Sequence, residues 1–504
     1  MDIIKPVLCV VLAFFLTATV VLSLQLLSAR VDNARVTTSI RDDLRSGAVA
    51  FPPFWDRDLR TGIDTWTDCL VLSIATFGQK DLISAVTRSN FLKYSGTDTN
   101  THVCEHLDAE LGGTPIQGET EVSDYWRYWW GSAALLNIAI GIDDLTLPTY
   151  QTALKALTYA AIFLMVCTAL VRYRRAAWPL LPVAVALTFG FAIPLFGQSI
   201  ADAPGLIIGI MLATVYMAAE VDRAALRWQF VYFFVAGGIG FYFDLLNGDL
   251  LASLILFALL RLLSTVVFGP PKILWPALLA RLPTTAAVGH TMAGYVAGAV
   301  SMAIFRIALR AFLTGQSLFA VLSEWHAELS KFASSNWPES QRHLFQQLPV
   351  DPSVYTTPLI RVFRHTYYDL EVATFPYIGR HGTVFIYGLC ALLYVAMGIW
   401  WLSRRGKMES AQSDRLLAAS LISVVVPLWY CLFPVHTIIH FWMMGRLLAL
   451  FFALAPSIVL IININEPLRR KTGSGHHRTD RFSPWPTSIA DLHVRECYSR
   501  DPGA

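Results

Sequence analysis

Long apolar stretches separated by short polar ones dominate the chain. A helix needs about 20 apolar residues to cross a bilayer core roughly 30 Å thick. About ten stretches approach that length, and we expect each to be a membrane-spanning helix. They cover residues 6–29, 152–171, 176–201, 203–219, 228–244, 249–266, 282–305, 382–403, 416–445 and 447–465.

Composition agrees with this pattern. Of the 504 residues, 55% are hydrophobic and only 15% are charged, whereas a soluble domain carries about 25% charged residues. The net charge of +3 is too small to indicate a nucleic-acid partner. These values exclude an ordinary soluble enzyme, and the expected fold class is an all-α polytopic membrane protein.

Basic residues indicate which side of the membrane each connection faces. Three arginines cluster at 172–175 and similar clusters recur in alternate connections, whereas the connections at 197–203 and 435–442 have no lysine or arginine. Because cytoplasmic loops carry the excess of Lys and Arg, we expect a multi-pass protein of the plasma (inner) membrane with both termini in the cytoplasm. The first apolar stretch resembles a signal peptide, but it is longer than a typical signal core, so a retained anchor is favoured.

This topology divides the chain into six segments. Two long segments face outward and form a small extracytoplasmic subdomain. The segments are a first transmembrane anchor at 1–29, a first extracytoplasmic loop with interfacial helices at 30–150, transmembrane helices 2–7 at 151–312, a second extracytoplasmic loop at 313–381, transmembrane helices 8–10 at 382–466 and a disordered cytoplasmic tail at 467–504.

Two acids in the first outer loop precede an apolar stretch. Asp64 and Asp68 are four residues apart, which places both carboxylates on one face of a helix. They are candidate catalytic acids, although Asp64 is equally suited to cap the start of that helix. Cys69 and Cys104 share the loop. They pair as a disulfide if the compartment is oxidising, or they are two separate small residues.

An aromatic cluster follows in the same loop. Tyr125, Arg127 and Trp129 belong to a run of five aromatics and one arginine that ends at Gly131. The next apolar stretch, 132–142, is too short to span and predicts a helix at the interface. The cluster is typical of an aromatic belt at the headgroups. It also suits a sugar- or phosphate-binding floor in which Arg127 grips phosphate.

Polar groups near the ends of later spans are further candidates. Asp244 ends the fifth span and suits either a cap or a sugar-binding acceptor. His436 and His440 are four residues apart, a spacing that fits a shared metal, a substrate hydroxyl or phosphate, or a structural pair. No third ligand is evident, so no cofactor is predicted. Arg446 at a span edge needs an anionic partner.

Together these stretches resemble bacterial multi-pass membrane glycosyltransferases of the GT-C type. The family pattern runs D-x-x-T-D-A, then Y-x-R-Y-W-H-G, then F-x-Y-F-D-L-L, then H-S-x-x-H-x-x-F-x-x-R. The departures are Cys69 for the alanine, Trp130 for the histidine and Thr437 for the serine. The matching positions are Asp64, Thr67, Asp68, Tyr125, Arg127, Tyr128, Trp129, Gly131, Phe241, Phe243, Asp244, Leu245, Leu246, His436, His440 and Arg446.

The resemblance implies a GT-C-like fold and transfer of a hexose or pentose from a polyprenyl-phosphate donor to an envelope glycan or glycolipid. Asp68 is then the expected general base, with Asp64 as its partner or as a group that orients the acceptor, and Asp42 and Asp43 are the alternative bases. Arg127 and Arg446 hold the lipid phosphate. The other expected binding residues are Tyr125, Trp129, Asp244, His436 and His440. The alternatives are a polysaccharide polymerase or ligase, and a transporter or flippase of a lipid-linked sugar. Expected partners are the lipid-linked donor, membrane lipids and the acceptor, without nucleic acid.

Overall fold

The computed structural model describes most of the apolar part of the chain. By internal contacts the chain divides into Met1–Asn465 and Glu466–Ala504, and every described residue belongs to the first unit. The described residues are 4–47, 65–77, 90–94, 107, 109–111, 120–124, 131–143, 145–191, 193, 197–244, 248–270, 282–331, 379–404, 410–432 and 441–464.

Helices build the fold, with one short pair of strands. The strands β1 (Asn90–Tyr94) and β2 (Thr120–Asp124) pair antiparallel, with Leu92 opposite Val122. The helices are α1 (Ile4–Ala29), α2 (Asn33–Arg45), α3 (Thr65–Thr76), α4 (Gly131–Asp143), α5 (Leu147–Tyr173), α6 (Leu181–Val185), α7 (Ala203–Ala218), α8 (Leu226–Phe243), α9 (Asp249–Phe268), α10 (Pro283–Thr314), α11 (Leu318–Lys331), α12 (Gly379–Arg404), α13 (Ser410–Ser423), α14 (Val425–Leu432) and α15 (Phe441–Ile462).

Six helical stretches in the described part of the chain are long and apolar enough to cross a membrane. Large apolar side chains on their outer faces are exposed, among them Phe15 at 61%, Phe163 at 68% and Phe385 at 71%. A surface of this kind suits lipid rather than water, so the chain is a helical membrane protein. The six stretches are Val7–Ala29, Leu147–Gly190, Asp249–Phe268, Pro283–Thr314, Phe385–Ser403 and Ser410–Trp429.

The stretch Leu147–Gly190 is 44 residues long, about twice what a bilayer requires. It is not one straight helix, because α5 ends at Tyr173 and the next residue, Arg174, has a positive φ of 52°. A 3₁₀ turn, the short α6 and a π-helical turn at Ala186–Gly190 follow and pack back against α5. The apolar run 176–201 was expected as one span, and its described part at 176–191 forms irregular helical turns instead of a regular helix. Two of the three prolines in the run, Pro179 and Pro182, explain part of that irregularity.

Helix α9 lies at the centre of the bundle. In its most apolar window 94% of residues are buried, and α7, α8, α10, α13, α14 and α15 pack around it. Beside it, α8 and α10 approach each other at their backbones. A Cβ added at Gly298 would lie 1.9 Å from the Phe234 carbonyl oxygen, and one at Gly237 would lie 1.9 Å from the Tyr295 carbonyl oxygen. Small residues permit such close helix contacts in membranes.

Acids from neighbouring helices cap two helix starts. Asp414 on α13 accepts hydrogen bonds from the Thr284 and Thr285 N–H groups at 2.7 and 2.9 Å, at the start of α10. Asp43 on α2 accepts one from the Leu147 N–H at 2.7 Å, at the start of α5. These free N–H groups otherwise have no helical partner, so both acids fix one helix against another.

The bundle has two ends, which we name by their buried acids. The Asp222 end carries Arg172, Arg223 and Arg261, and the Asp68 end carries α3, α4 and the start of α9. At the Asp222 end, Arg172 Nη2 donates to Asp222 Oδ1 at 2.7 Å and Arg261 Nη1 donates to the Asp222 carbonyl oxygen at 3.2 Å. Arg172 and Arg223 also pair with Glu220. Arg261, only 1% exposed, is thereby held inside the bundle.

Candidate functional site at the Asp68 end

Asp68 lies in the first turn of α3 and is only 3% exposed. Its Oδ1 accepts hydrogen bonds from Ser199 Oγ at 2.8 Å and from the Ala201 N–H at 2.9 Å. Helix α3 begins at Thr65, directly after Asp64. Asp68 therefore faces the protein interior and holds the loop that precedes α7. The role of Asp68 as a general base stays a prediction.

The same loop carries Asp202, which lies just before α7. Its N–H donates to Ser199 Oγ at 3.1 Å. Pro204 occupies the first turn of α7, and the Asp202 side chain does not cap the helix. Instead its Oδ2 accepts from both Nη1 and Nη2 of Arg446 at 3.1 Å each. Both side chains are at most 5% exposed.

A continuous set of bonds thus joins two residues that sequence reasoning selected. It runs from Asp68 through Ser199 and Asp202 to Arg446. The expectation that Arg446 needs an anion is confirmed, and that anion is a carboxylate of the protein. Whether Arg446 also binds a lipid phosphate stays a prediction.

Asp244 and Asp249 flank the turn between α8 and α9. The Asp244 N–H donates to the Gly240 carbonyl oxygen at 2.9 Å, which ends α8, and its Oδ2 accepts from the Leu250 N–H at 2.9 Å, which caps α9. The capping interpretation of Asp244 is thereby confirmed, and its contact with a sugar stays a prediction. Gly248 adopts a φ of +99° at the same turn, a conformation that favours glycine.

A narrow cleft opens between these elements. Its space for water-sized groups is about 10 Å³. It brings Asp249 at the start of α9 beside the Asp202–Arg446 pair, with an apolar wall on the side of α6 and α7. The residues that line it are Phe191, Ile193, Gly197, Asp202, Ala203, Leu206, Asp249 and Arg446.

Gly131 connects two of the motif stretches. A Cβ at Gly131 would lie 2.6 to 2.8 Å from the rings of Phe243 and Tyr242, so only glycine lets α4 begin against the end of α8. Next to it, Ser132 Oγ donates to the Ala201 carbonyl oxygen at 3.0 Å. The segment after the aromatic cluster therefore packs on the loop that carries Asp202. The short helix predicted at 132–142 is confirmed as α4.

Cys69, adjacent to Asp68, is disulfide-bonded. Cys9, Cys167 and Cys390 are free. Cys104 lies outside the described residues, so the pairing of Cys69 with Cys104 stays a prediction.

Several predicted site residues lie outside the described part of the chain. They are Asp64, Tyr125, Arg127, Trp129, His436 and His440. Among the described residues, no group of three or more His, Cys, Asp or Glu side chains is arranged to hold a metal.

Sequence reasoning missed Ser199, Asp202 and Asp249 as site residues. Asp202 had a usable signal, because it is an acid that interrupts two apolar runs without a lysine or arginine nearby in sequence. Asp249 stands at the start of an apolar span after Asn-Gly, which suggests only a turn and a helix start. Ser199 has no sequence signal. Comparisons with protein-family models, with curated proteins and with solved structures found no match to this chain.

Proposed function

We propose that this protein is an integral membrane glycosyltransferase that moves a hexose or pentose from a polyprenyl-phosphate donor to an envelope glycan or glycolipid. The observation that carries the proposal is the bonded set Asp68–Ser199–Asp202–Arg446 beside a cleft at one end of an apolar bundle. A lipid-linked sugar presents a polar head at that depth, and buried acids and guanidinium groups are suited to it.

The disulfide at Cys69 supports an extracytoplasmic position for the Asp68 end, because structural disulfides persist in oxidising compartments. The arginines at the Asp222 end support a cytoplasmic position for that end. With the Asp68 end outside and the Asp222 end in the cytoplasm, the termini before α1 and after α15 both lie in the cytoplasm. We propose this topology for a protein of the plasma membrane.

A GT-C-type arrangement with about ten spans belongs to the same proposal. Besides the six long stretches, α7 and α15 are apolar helices of 16 and 22 residues that coincide with expected spans. Helix α8, with 18 residues, coincides with a third. The motif residues Asp68, Gly131, Asp244 and Arg446 meet at one end of the bundle, which supports a shared site.

Within this proposal Asp68 acts as a positioning residue, in place of the general-base role that the resemblance implied. Its Oδ1 already accepts two hydrogen bonds from the loop 199–202, so its loss displaces Asp202 and, through it, Arg446. A misplacement of about 1 Å in an active site costs roughly 100-fold in rate. Arg446 offsets the negative charge that builds up as polyprenyl phosphate leaves, although it remains paired to Asp202.

The decisive experiment measures sugar transfer from radiolabelled polyprenyl-phosphate hexose and pentose donors into envelope material, using the full chain in membranes. We expect Asp68→Asn to lower the rate roughly 100-fold and Arg446→Ala to abolish it. Glu110→Gln is the matched control, because its side chain is exposed and its rate should equal that of the wild type. His436→Ala tests the histidine pair separately.

Each variant is first checked for insertion and for a monodisperse elution profile in detergent. Full transfer by both Asp68→Asn and Arg446→Ala would contradict the proposed mechanism. Donor movement across vesicles without a new glycosidic bond would instead identify a flippase. Extension of a preformed glycan from lipid-linked oligosaccharide, with no use of the monosaccharide donors, would identify a polymerase or ligase.

A further inference from the structure

Asp249 differs from the other acids at the Asp68 end in its hydrogen bonding. It is 3% exposed, it lines the cleft, and its Oδ1 has no hydrogen-bond partner among the residues that the structure describes. Buried polar atoms in proteins are nearly always bonded, because an unmade bond costs about 1–3 kcal/mol. An unpartnered carboxylate oxygen on a side chain that lines a cleft is therefore a position for a hydrogen-bond donor supplied by a ligand.

The charges around the cleft determine what kind of donor fits. Asp202 is engaged by Arg446 through both terminal guanidinium nitrogens, so that pair is close to neutral. Asp249 is a further acid beside that pair, with Asp244 as an acidic neighbour. In its ionised form Asp249 repels a phosphate oxygen, whereas a hydroxyl can donate a hydrogen bond to it. The start of α9 gives the carboxylate some stabilisation through the helix dipole.

The backbone makes room for this carboxylate. A Cβ at Gly205 on α7 would lie 3.1 Å from Asp249 Oδ2 and 3.4 Å from its Cβ, so glycine lets the acid sit against α7. The cleft has about 10 Å³ of space for water-sized groups, close to the roughly 10–15 Å³ that one water requires. It therefore admits a single hydroxyl-sized group of a larger substrate.

We infer that Asp249 is the catalytic base of the proposed transfer and that it receives the acceptor hydroxyl; the inference rests on the proposed function. Asp249 Oδ1 takes the proton of that hydroxyl as its oxygen bonds to the anomeric carbon of the donor. The bond from that carbon to the phosphate oxygen breaks, and its electron pair leaves with polyprenyl phosphate. No oxidant or metal enters this balance.

The test compares Asp249→Asn with the wild type in the transfer assay, using whichever polyprenyl-phosphate donor the wild type uses. Asparagine keeps an oxygen acceptor but cannot take the proton. We expect kcat to fall by about 10²–10⁴-fold, with KM for the acceptor little changed. The fall should exceed that of Asp68→Asn. An Asp249→Asn variant that inserts and elutes normally and keeps more than a tenth of the kcat would overturn the inference.

A second variant guards against a folding defect in the first. Gly205→Ala adds one methyl group 3.1 Å from Oδ2, so the carboxylate must shift by a few tenths of an ångström without being removed. We expect a fall in kcat of roughly three- to fivefold with normal insertion. Gly388→Ala is the matched control, because a Cβ there meets nothing within 4 Å. Unchanged kcat in Gly205→Ala would count against Asp249 as the base.

The possible outcomes distinguish a failure of the Asp249 inference from a failure of the proposed glycosyltransferase function. A wild type that transfers sugar while both Asp249→Asn and Gly205→Ala retain full activity removes only the role of Asp249. A wild type that transfers no sugar from any polyprenyl-phosphate donor removes the proposed function and this inference with it.

Discussion

At Arg446, a guanidinium that the sequence places near a membrane edge finds its counter-ion inside the protein. The need for an anion was predictable from the cost of an unpaired charge at that depth. The identity of the anion was not, because Asp202 is 244 residues away in sequence. Asp68 shows the same limit: its candidacy followed from a local motif, whereas its bond to Ser199 spans 131 residues.

The Asp202–Arg446 pair should be strongly coupled in stability. Loss of one partner leaves a buried charge without its counter-ion, which typically costs about 3–5 kcal/mol. A cycle of Asp202→Leu, Arg446→Met and the double variant should therefore show a coupling of about 1–3 kcal/mol. Thermal unfolding in detergent measures it.

The exposed pair Arg41–Asp42 provides the comparison, since its side chains are 33% and 65% exposed. Its coupling should stay below about 1 kcal/mol. If the two cycles gave equal coupling energies, burial would not be the cause of the coupling between Asp202 and Arg446.

At the scale of elements, apolar periodicity located most helices but not their regularity. The predicted spans at 203–219, 228–244 and 249–266 match α7, α8 and α9 closely. The described part of the run 176–201, residues 176–191, is not one regular helix. The expectation was based on the length of the run and its lack of charge and did not weigh Pro179 and Pro182. Length of an apolar run says that a segment is buried in protein or lipid, not that its backbone is straight.

The glycine contact between α8 and α10 yields an element-scale prediction. In Gly298→Ala the added methyl would lie 1.9 Å from the Phe234 carbonyl oxygen, so the helices must separate. We expect a loss of about 1–3 kcal/mol in stability, as for other overpacked sites. The thermal midpoint of the purified protein in detergent is the measurement.

Gly398→Ala on α12 is the matched substitution in open space, since nothing lies within 4 Å of the added Cβ. Alanine is the better helix former by about 0.8–1.0 kcal/mol, so this variant should be as stable as the wild type or more so. Equal destabilisation by both alanines would rule out the contact as the cause.

At the scale of the whole molecule, the class of the protein was accessible from composition, and the site was not. A charged fraction of 15% predicts a membrane protein because the bilayer excludes ionised groups. The convergence of α3, α7, α9 and α15 at one end depends on how the helices pack, which pattern and length do not encode. The motif residues predicted the region of the site. Ser199, Asp202 and Asp249 lie beside them only because of how the helices pack.

The disulfide at Cys69 gives a prediction for the intact chain. In unreduced, denatured protein, Cys69→Ser should raise the number of reactive thiols by one, because it releases the partner of Cys69. Cys390→Ser should lower that number by one, because Cys390 is free. Mass spectrometry after alkylation counts the thiols, and a number lowered by one in Cys69→Ser would show that the bond does not form.

The central position of α9 has a consequence for biogenesis. Four of the helices that surround α9 follow it in the chain, namely α10, α13, α14 and α15. Helix α9 therefore enters the bilayer before these four helices have been synthesised. Arg261, near its middle, would then face lipid, were it not that its acceptor at Asp222 precedes it by 39 residues. The hydrogen bond between Arg261 and Asp222 can therefore form as soon as α8 and α9 have been synthesised. The apolar helices that cover α9 are synthesised later.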